Sequence, residues 1–506
     1  MRLGWAALLA LASDVSSQSV VRFNVTKGAP GARGGGVPTL SRRSTYSEQL
    51  INSIAGGGYF TQVKVGTPGQ TMTMLLDTGS SDTWVLSYKA NLCTDQELQD
   101  LYGMTCTDTY DPSKSSTNKL VTPHGFKIVY LDGGTASGDY ISDDFSIGGT
   151  TIKSLQMAYV TQAVRGTGIM GLGFSSGERA STKYPNIMDE LTNQGKISCK
   201  AYSLYLNDRR TDAGSILFGG IDTDKFIGPL KILPLYKPPG GDDDNDYSSF
   251  EVNFTAVSLA HTNGTASVDM QTSILDHPVP AVLDSGTTLS YLPDEITSRL
   301  YSALGAVFDP DLRMTLIDCG YLTSDPGLKL MFTFPSSTGE ARISVPVWEL
   351  VLDILPPSSA SSAATAHFKS GPCVFGIQST AVIEDAGGLN FTLLGDTFLR
   401  SAYVVYDLTH HQIGIAQANL NSTGQTIIEL SAQGSSLPTG VTGVAAQQTT
   451  FTPTGLLRTA SPSPTPSNAS KNSAPGRKGK GTLREVVGVL AATGLCILLG
   501  GALISW

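Results

Sequence analysis

Charge is what this chain has least of. Asp, Glu, Lys and Arg make up 15 % of 506 residues, and 43 Asp and Glu outnumber 34 Lys and Arg. A net charge of −9 offers no general basic surface to a phosphate backbone, which argues against nucleic acid as a partner. Histidine and cysteine are also scarce, at six residues each. No Cys-X-X-Cys pair and no histidine cluster occurs, so no metal and no other cofactor is expected. Helical patterning is confined to "NIMDELTNQG" (186–195) and "LPDEITSRLYSALG" (292–305), the latter with Pro293 at its start, where proline is tolerated. Glycine, by contrast, is abundant at 55 residues. Short runs such as "YFTQVKV", "FKIVYL", "AYSLYL", "SILFGG" and "AYVVYD" recur between turn residues. That is the pattern of an all-β, largely antiparallel protein.

The two ends have a different character. "MRLGWAALLALASDVSSQS" begins with Arg2 and a short apolar run, which is the form of a secretory signal peptide, taken as residues 1–17. Residues 18–43 form a short segment ending in Arg42-Arg43. A processing protease acting there would leave a mature start near Ser44. At the other end, Ser, Thr, Pro, Ala and Gly dominate. Residues 421–474 are therefore expected to be an O-glycosylated stalk. The last 21 residues are apolar with no charge after them. With the polar spacer 475–485 and the small triplet Asn472-Ser473-Ala474, they match a glycosylphosphatidylinositol signal over 475–506, with Asn472 as the attachment residue. A retained membrane-spanning tail is the alternative.

Asn-X-Ser/Thr sequons stand at Asn24, Asn253, Asn263, Asn390, Asn421 and Asn468, and they acquire meaning in the secretory route. In that oxidising route disulfides are expected. Cys93 with Cys106 would close a short loop, and Cys319 with Cys373 a longer one. Cys496 lies in the apolar tail, which leaves Cys199 over, although spacing does not fix connectivity. "YKPPGGDDDNDYSSF" (236–250) and "PPSSASSAATAH" (356–367) are expected to be exposed loops.

Chemistry is carried by a repeat. "MLLDTGSSDTWVL" (74–86) and "AVLDSGTTLSYLP" (281–293) each place an Asp after an apolar pair and before a hydroxyl residue, Gly and another hydroxyl residue. Asp77 and Asp284 lie 207 residues apart. Each is followed later by an apolar-apolar-Gly element, Ile169-Met170-Gly171 in "GIMGLGF" and Leu393-Leu394-Gly395 in "TLLGDTFL". Two similar halves suggest a pseudo-twofold molecule whose Asp turns meet at the axis. Two carboxylates ~3 Å apart cannot both ionise cheaply, the known behaviour of aspartic-protease pairs, so one proton is shared. One carboxyl can then act as base toward a water and the other as acid toward a carbonyl oxygen.

With these paired motifs the chain resembles the pepsin-like aspartic proteases over residues 55–420. The resemblance implies two β-rich lobes, here 44–228 and 229–420, with a central cleft. It implies that Asp77 and Asp284 form the catalytic dyad. Thr78 and Ser285 would cross-brace the turns, Gly79 and Gly286 would let them close, and Ser80 and Thr287 would bond the outer carboxylate oxygens. "FKIVYLDGGTASGDY" (126–140) looks like the family's flap, with Tyr130 as the flap tyrosine, Trp84 as its hydrogen-bond partner, and Asp132 and Gly133 at the tip.

Signal peptide, pro-segment, lobes, stalk and anchor signal together look like the yapsin-type enzymes of fungi. That implies a monomeric endopeptidase acting on proteins or peptides at the outer face of the plasma membrane or in the wall. It also suggests a preference for Lys or Arg before the scissile bond. Asp95, Glu97, Asp100 and Asp132, with Asp242 to Asp244 and Asp246, are the acidic residues that could serve it. An inactive pepsin-like binding protein of the cell surface is the alternative function.

Overall fold

The computed structural model describes residues 21–25 and 58–445, apart from short stretches at 103, 131–132, 211–213, 238–246, 264–265, 356–360, 362–365, 385–391 and 432–435. The expected signal peptide, most of the expected pro-segment, the distal part of the expected stalk with Asn468 and Asn472, and the apolar tail lie outside the described residues. So do Asp132, Asn390 and the acidic run containing Asp242 to Asp244 and Asp246. Among the described residues no helix is long and apolar enough to cross a membrane.

Two seven-stranded sheets and one six-stranded sheet form the framework. In the N-terminal lobe the strand Gln70–Asp77 runs parallel to Gly168–Gly171, with Asp77 opposite Gly171. Gly168–Gly171 is in turn antiparallel to Thr83–Leu86. The C-terminal lobe repeats this. Ala266–Leu283 runs parallel to Thr392–Leu394, with Leu283 opposite Leu394, and Tyr291 pairs antiparallel to Leu393. Each apolar-apolar-Gly element therefore threads between the strand that enters an Asp turn and the strand that leaves it. Burial on both faces explains why the threading segments Ile169-Met170 and Leu393-Leu394 and the strand end Leu75-Leu76 are apolar without alternation.

The six-stranded sheet joins the lobes. Its order is Val21–Val25, Gly214–Phe218, Ala201–Tyr205, Ala402–Asp407, Gln412–Ala418 and Phe226–Pro234. Successive side chains of a strand point to opposite faces. Tyr202, Leu204, Val404 and Tyr406 join the main core on the side of the Asp turns. Ala201, Tyr205, Tyr403 and Val405 face the other way into a separate cluster with Leu430 and Leu437. The outermost strand, Val21–Val25, belongs to the segment expected to be removed on processing; it pairs with Gly214–Phe218.

Both expected helices form. Ile187–Asn193 begins with a capping box between Asn186 and Asp189, which satisfies orphan N–H groups reciprocally. Asp294–Leu304 follows Pro293 and stops at Gly305 in a left-handed conformation, which glycine adopts without a Cβ clash.

Two expectations need correction. Asn91–Thr94 and Gln96–Tyr102 are also helical. Asp95 Oδ1 accepts from Glu97 N at 2.9 Å, an N-terminal cap that polar spacing had hidden. Residues 427–444, expected to belong to the stalk, pack on the body. Ile427–Glu429 pairs with Gly220–Asp222, Leu430 and Leu437 are buried, and Thr442 and Val444 form β-bridges to Pro229 and Ile227. This wrap covers the face of the interlobe sheet turned away from the Asp turns. Sparse apolar anchors among Ser, Thr and Gly suffice because an existing sheet receives them.

Candidate active site

Each Asp is delivered by a buried strand end and held by the turn that follows. Gly79 N donates to Asp77 Oδ1 at 2.9 Å and the Ser80 hydroxyl donates to Asp77 Oδ2. In the other lobe Gly286 N donates to Asp284 Oδ1 at 2.7 Å and Thr287 Oγ1 donates to Asp284 Oδ2 at 2.6 Å. The turns are laced together across the axis. Thr78 Oγ1 donates to Leu283 O at 2.9 Å and accepts from Ser285 N at 2.9 Å. Ser285 Oγ donates to Leu76 O at 3.0 Å and accepts from Thr78 N at 3.3 Å. The glycines have a steric reason as well. A methyl at Gly79 would sit 2.6 Å from Asp284 Oδ1, and one at Gly286 would collide with Asp77 Oδ1.

Both carboxyls are fully buried. Burial, and then the Asp284 charge, push the Asp77 carboxyl well above the usual carboxylate range. The Ser80 and Gly79 hydrogen bonds oppose this without cancelling it. Burial also raises Asp284, against the pull of Thr287 and Gly286. The pair therefore holds one shared proton above ordinary carboxyl pH values. Beneath the turns Tyr202 and Tyr406 stack with ring centroids 4.9 Å apart. Their hydroxyls donate toward Leu172 O at 3.3 Å and Leu283 O at 3.5 Å. The recurring Ala-Tyr-X-X-Tyr of 201–205 and 402–406 was the sequence signal for this stack, and it had been read only as strand.

The segment expected to be the flap is a hairpin of Lys119–Val129 with Thr135–Ile147. Tyr130 N donates to Gly134 O at 2.8 Å and Gly133 N to Tyr130 O at 2.9 Å, closing the tip. Gly133 has φ 77°, a conformation that favours glycine. Trp84 Nε1 donates to the Tyr130 hydroxyl at 2.7 Å, and both rings are buried. The guanidinium of Arg165 lies 5.1 Å from the Tyr130 ring centroid, a cation–π contact that sequence reasoning had missed. Its only signal was a position shortly before "GIMGLGF".

The remaining candidates divide. Cys93–Cys106 and Cys319–Cys373 are disulfides, with Cα atoms 5.3 and 5.1 Å apart, and Cys199 is a buried free thiol. Asp95, Glu97 and Asp100 are exposed; Asp100 accepts from Gln96 Nε2 at 2.8 Å. Asn24 and Asn263 lie on strands, and Asn421 is exposed with φ 61°. Asn253 is half-buried on the strand Glu251–Asn263. Among the described residues, the one grouping of possible metal ligands is Cys319, Asp353 and Cys373, and its two sulfurs are already joined.

Two lobes that each present a braced Asp turn to a shared axis, beneath a hairpin, define an aspartic protease. The comparisons agree. The family model for eukaryotic aspartyl proteases matches residues 58–418. A probable aspartic-type endopeptidase OPSB of Arthroderma benhamiae is 38 % identical over 419 residues, 81 % of this chain and 79 % of the relative. Its namesake in Aspergillus fumigatus is 35 % identical over 438 residues, 83 % and 82 % of the two chains. The aspartic proteinase yapsin-3 of Saccharomyces cerevisiae is 32 % identical over 405 residues, 77 % and 72 %. The chain belongs to the eukaryotic aspartyl protease family and is an aspartic-type endopeptidase.

Proposed function

We propose that Asp77 and Asp284 hydrolyse peptide bonds as a pair, in a secreted enzyme held at the cell surface. The crossed turns carry this reading, because they bring two buried carboxyls into one site with one shared proton. A water between the carboxyls loses a proton to Asp284 as its oxygen attacks the scissile carbonyl. Asp77 donates its proton to the carbonyl oxygen. The tetrahedral diol then collapses: one of its hydroxyls returns a proton to Asp77, the C–N bond breaks, and the leaving nitrogen takes the proton held by Asp284, which restores the starting pair. No covalent intermediate forms. Ser80 and Thr287 orient the outer oxygens, and Thr78 and Ser285 fix the distance between the turns. Tyr130 and Gly133 cover the substrate, and Trp84 holds the Tyr130 hydroxyl.

The signal peptide, the Arg42-Arg43 pair and the tail supply the cellular part of the reading. The enzyme is made as a zymogen, cut after Arg43, and attached through Asn472 to a glycosylphosphatidylinositol anchor at the outer plasma-membrane face. It acts as a monomer. Preference for Lys or Arg before the scissile bond is the finer expectation. Glu97 and Asp100 are exposed on a short surface helix and Asp95 is exposed just before it, and the cation beside Tyr130 is Arg165.

The test uses the full chain secreted by a eukaryotic host. Activity abolished by pepstatin, a mature N-terminus at Ser44 and release by phosphatidylinositol-specific phospholipase C are expected. Mass-mapped cut sites decide the basic preference. A folded, processed protein that cuts no peptide at any pH from 3 to 7 would overturn the catalytic reading.

A further inference from the structure

We propose that an N-glycan on Asn253 seats its first sugar in a pocket between the C-terminal lobe and the C-terminal wrap, and so pins the wrap to the body. The proposal rests on the secretory reading above. The pocket has a volume of about 490 Å³, within the ~300–1,000 Å³ typical of small-ligand sites. It lies where three parts of the fold meet. Ile232 and Pro234 come from the interlobe sheet, Pro335 and Ser337 from a hairpin of the C-terminal lobe, and Ser436 and Thr439 from the wrap.

Asn253 lines this pocket, and local structure explains its direction. On the strand Glu251–Asn263, Val252 and Phe254 are buried in the core, so Asn253 between them points to the opposite face. Among the described residues nothing hydrogen-bonds its side-chain amide. Asn253-Phe254-Thr255 is a sequon, and glycan transfer to the unfolded chain precedes the packing of Thr255, which ends half-buried with Oγ1 donating to Thr333 O at 3.0 Å.

The lining suits a sugar. N-Acetylglucosamine has an apolar C–H face, which matches Ile232, Pro234 and Pro335. Its hydroxyl and acetamido edges match the hydroxyls of Ser337, Ser436 and Thr439. The wrap is already fastened at Leu437, whose N–H donates to Gln412 Oε1 at 3.1 Å, and Gln412 also lines the pocket. A ring lying between Pro335 and Thr439 would bridge the wrap to the lobe hairpin beside that fastening. Asn421 offers a contrast, because its exposed site precedes the wrap and its side chain reaches Asp208.

The experiment uses the full chain from a secretory eukaryotic host. Glycopeptide mass spectrometry gives the occupancy of each sequon, and amide hydrogen exchange follows residues 436–445. Asn253 is expected to carry glycan. N253Q and T255A are each expected to speed exchange of 436–445 by about tenfold, while T255S, which keeps the sequon, and N421Q leave it unchanged. Trimming with an endoglycosidase that leaves one N-acetylglucosamine is expected to preserve protection. Occupied sequons elsewhere with Asn253 bare would overturn the proposal alone. Unchanged exchange in both N253Q and T255A would also overturn it. A secreted chain with no sugar on any sequon would overturn the role of these sequons and this proposal with it, while peptide cleavage would still test the dyad separately.

Discussion

Glu178 should make the N-terminal lobe less stable as pH rises. It is 2 % exposed. Its Oε2 accepts from Tyr184 N at 2.9 Å, while among the described residues Oε1 has no partner. Close by, Asp82 Oδ1 accepts from the Tyr140 and Tyr184 hydroxyls at 2.8 and 2.9 Å, and Oδ2 accepts from Arg179 N at 2.7 Å. Burial pushes the Glu178 carboxyl up to about 9 from 4.5. The Asp82 and Asp189 charges add to the rise, against the Tyr184 N–H and the Lys183 cation. A carboxyl that binds its proton more tightly when folded contributes fully below its unfolded value. It loses that contribution as pH climbs toward the folded value, at ~1.4 kcal/mol per unit. Between pH 4.5 and 7 the loss from Glu178 is about 3 kcal/mol at most. Asp82, also raised by burial, adds in the same direction. Urea unfolding of wild type and Glu178→Gln at both pH values measures the effect. The variant should match wild type at pH 4.5 and exceed it at pH 7 by up to about 3 kcal/mol. Equal pH slopes in the two proteins would refute the reasoning.

Three further outcomes follow from particular contacts. Thr78→Val leaves Ser285 N without its acceptor and Leu283 O with only the long Tyr406 contact, and should cost about 1–3 kcal/mol in thermal unfolding, with activity falling alongside. Trp84→Phe removes the donor to the Tyr130 hydroxyl; kcat/KM should fall by about tenfold with an unchanged circular dichroism spectrum. Replacing Cys319 and Cys373 together by Ala opens a loop with a separation of 54 residues and should cost about 4 kcal/mol, read from urea midpoints.

How far the sequence reveals this molecule depends on the range of each interaction. The Asp turns were legible because strand, hydroxyl, glycine and hydroxyl are local, and the repeat doubled the signal. The flap was legible for the same reason. The interlobe sheet was not. Its pairing of Ala201–Tyr205 with Ala402–Asp407 joins segments two hundred residues apart, and each strand alone has no preferred partner. The wrap escaped because its composition is that of a stalk, and only Leu430 and Leu437 hint that it returns to the body. Arg165 and Glu178 escaped because their meaning lies in a ring and a pocket supplied by other segments. Asp95, Glu97 and Asp100 show another limit: their charge was visible in the sequence, but their exposed positions at and just before a short surface helix were not.

The central claim is that two carboxyls, one from each lobe, act as a single unit. The most direct test is to measure kcat/KM for Asp77→Asn and Asp284→Asn side by side, on one peptide and with processed protein. The account predicts that each variant loses at least about a thousandfold, with thermal unfolding no worse than wild type. Either variant retaining activity within tenfold of wild type would contradict it.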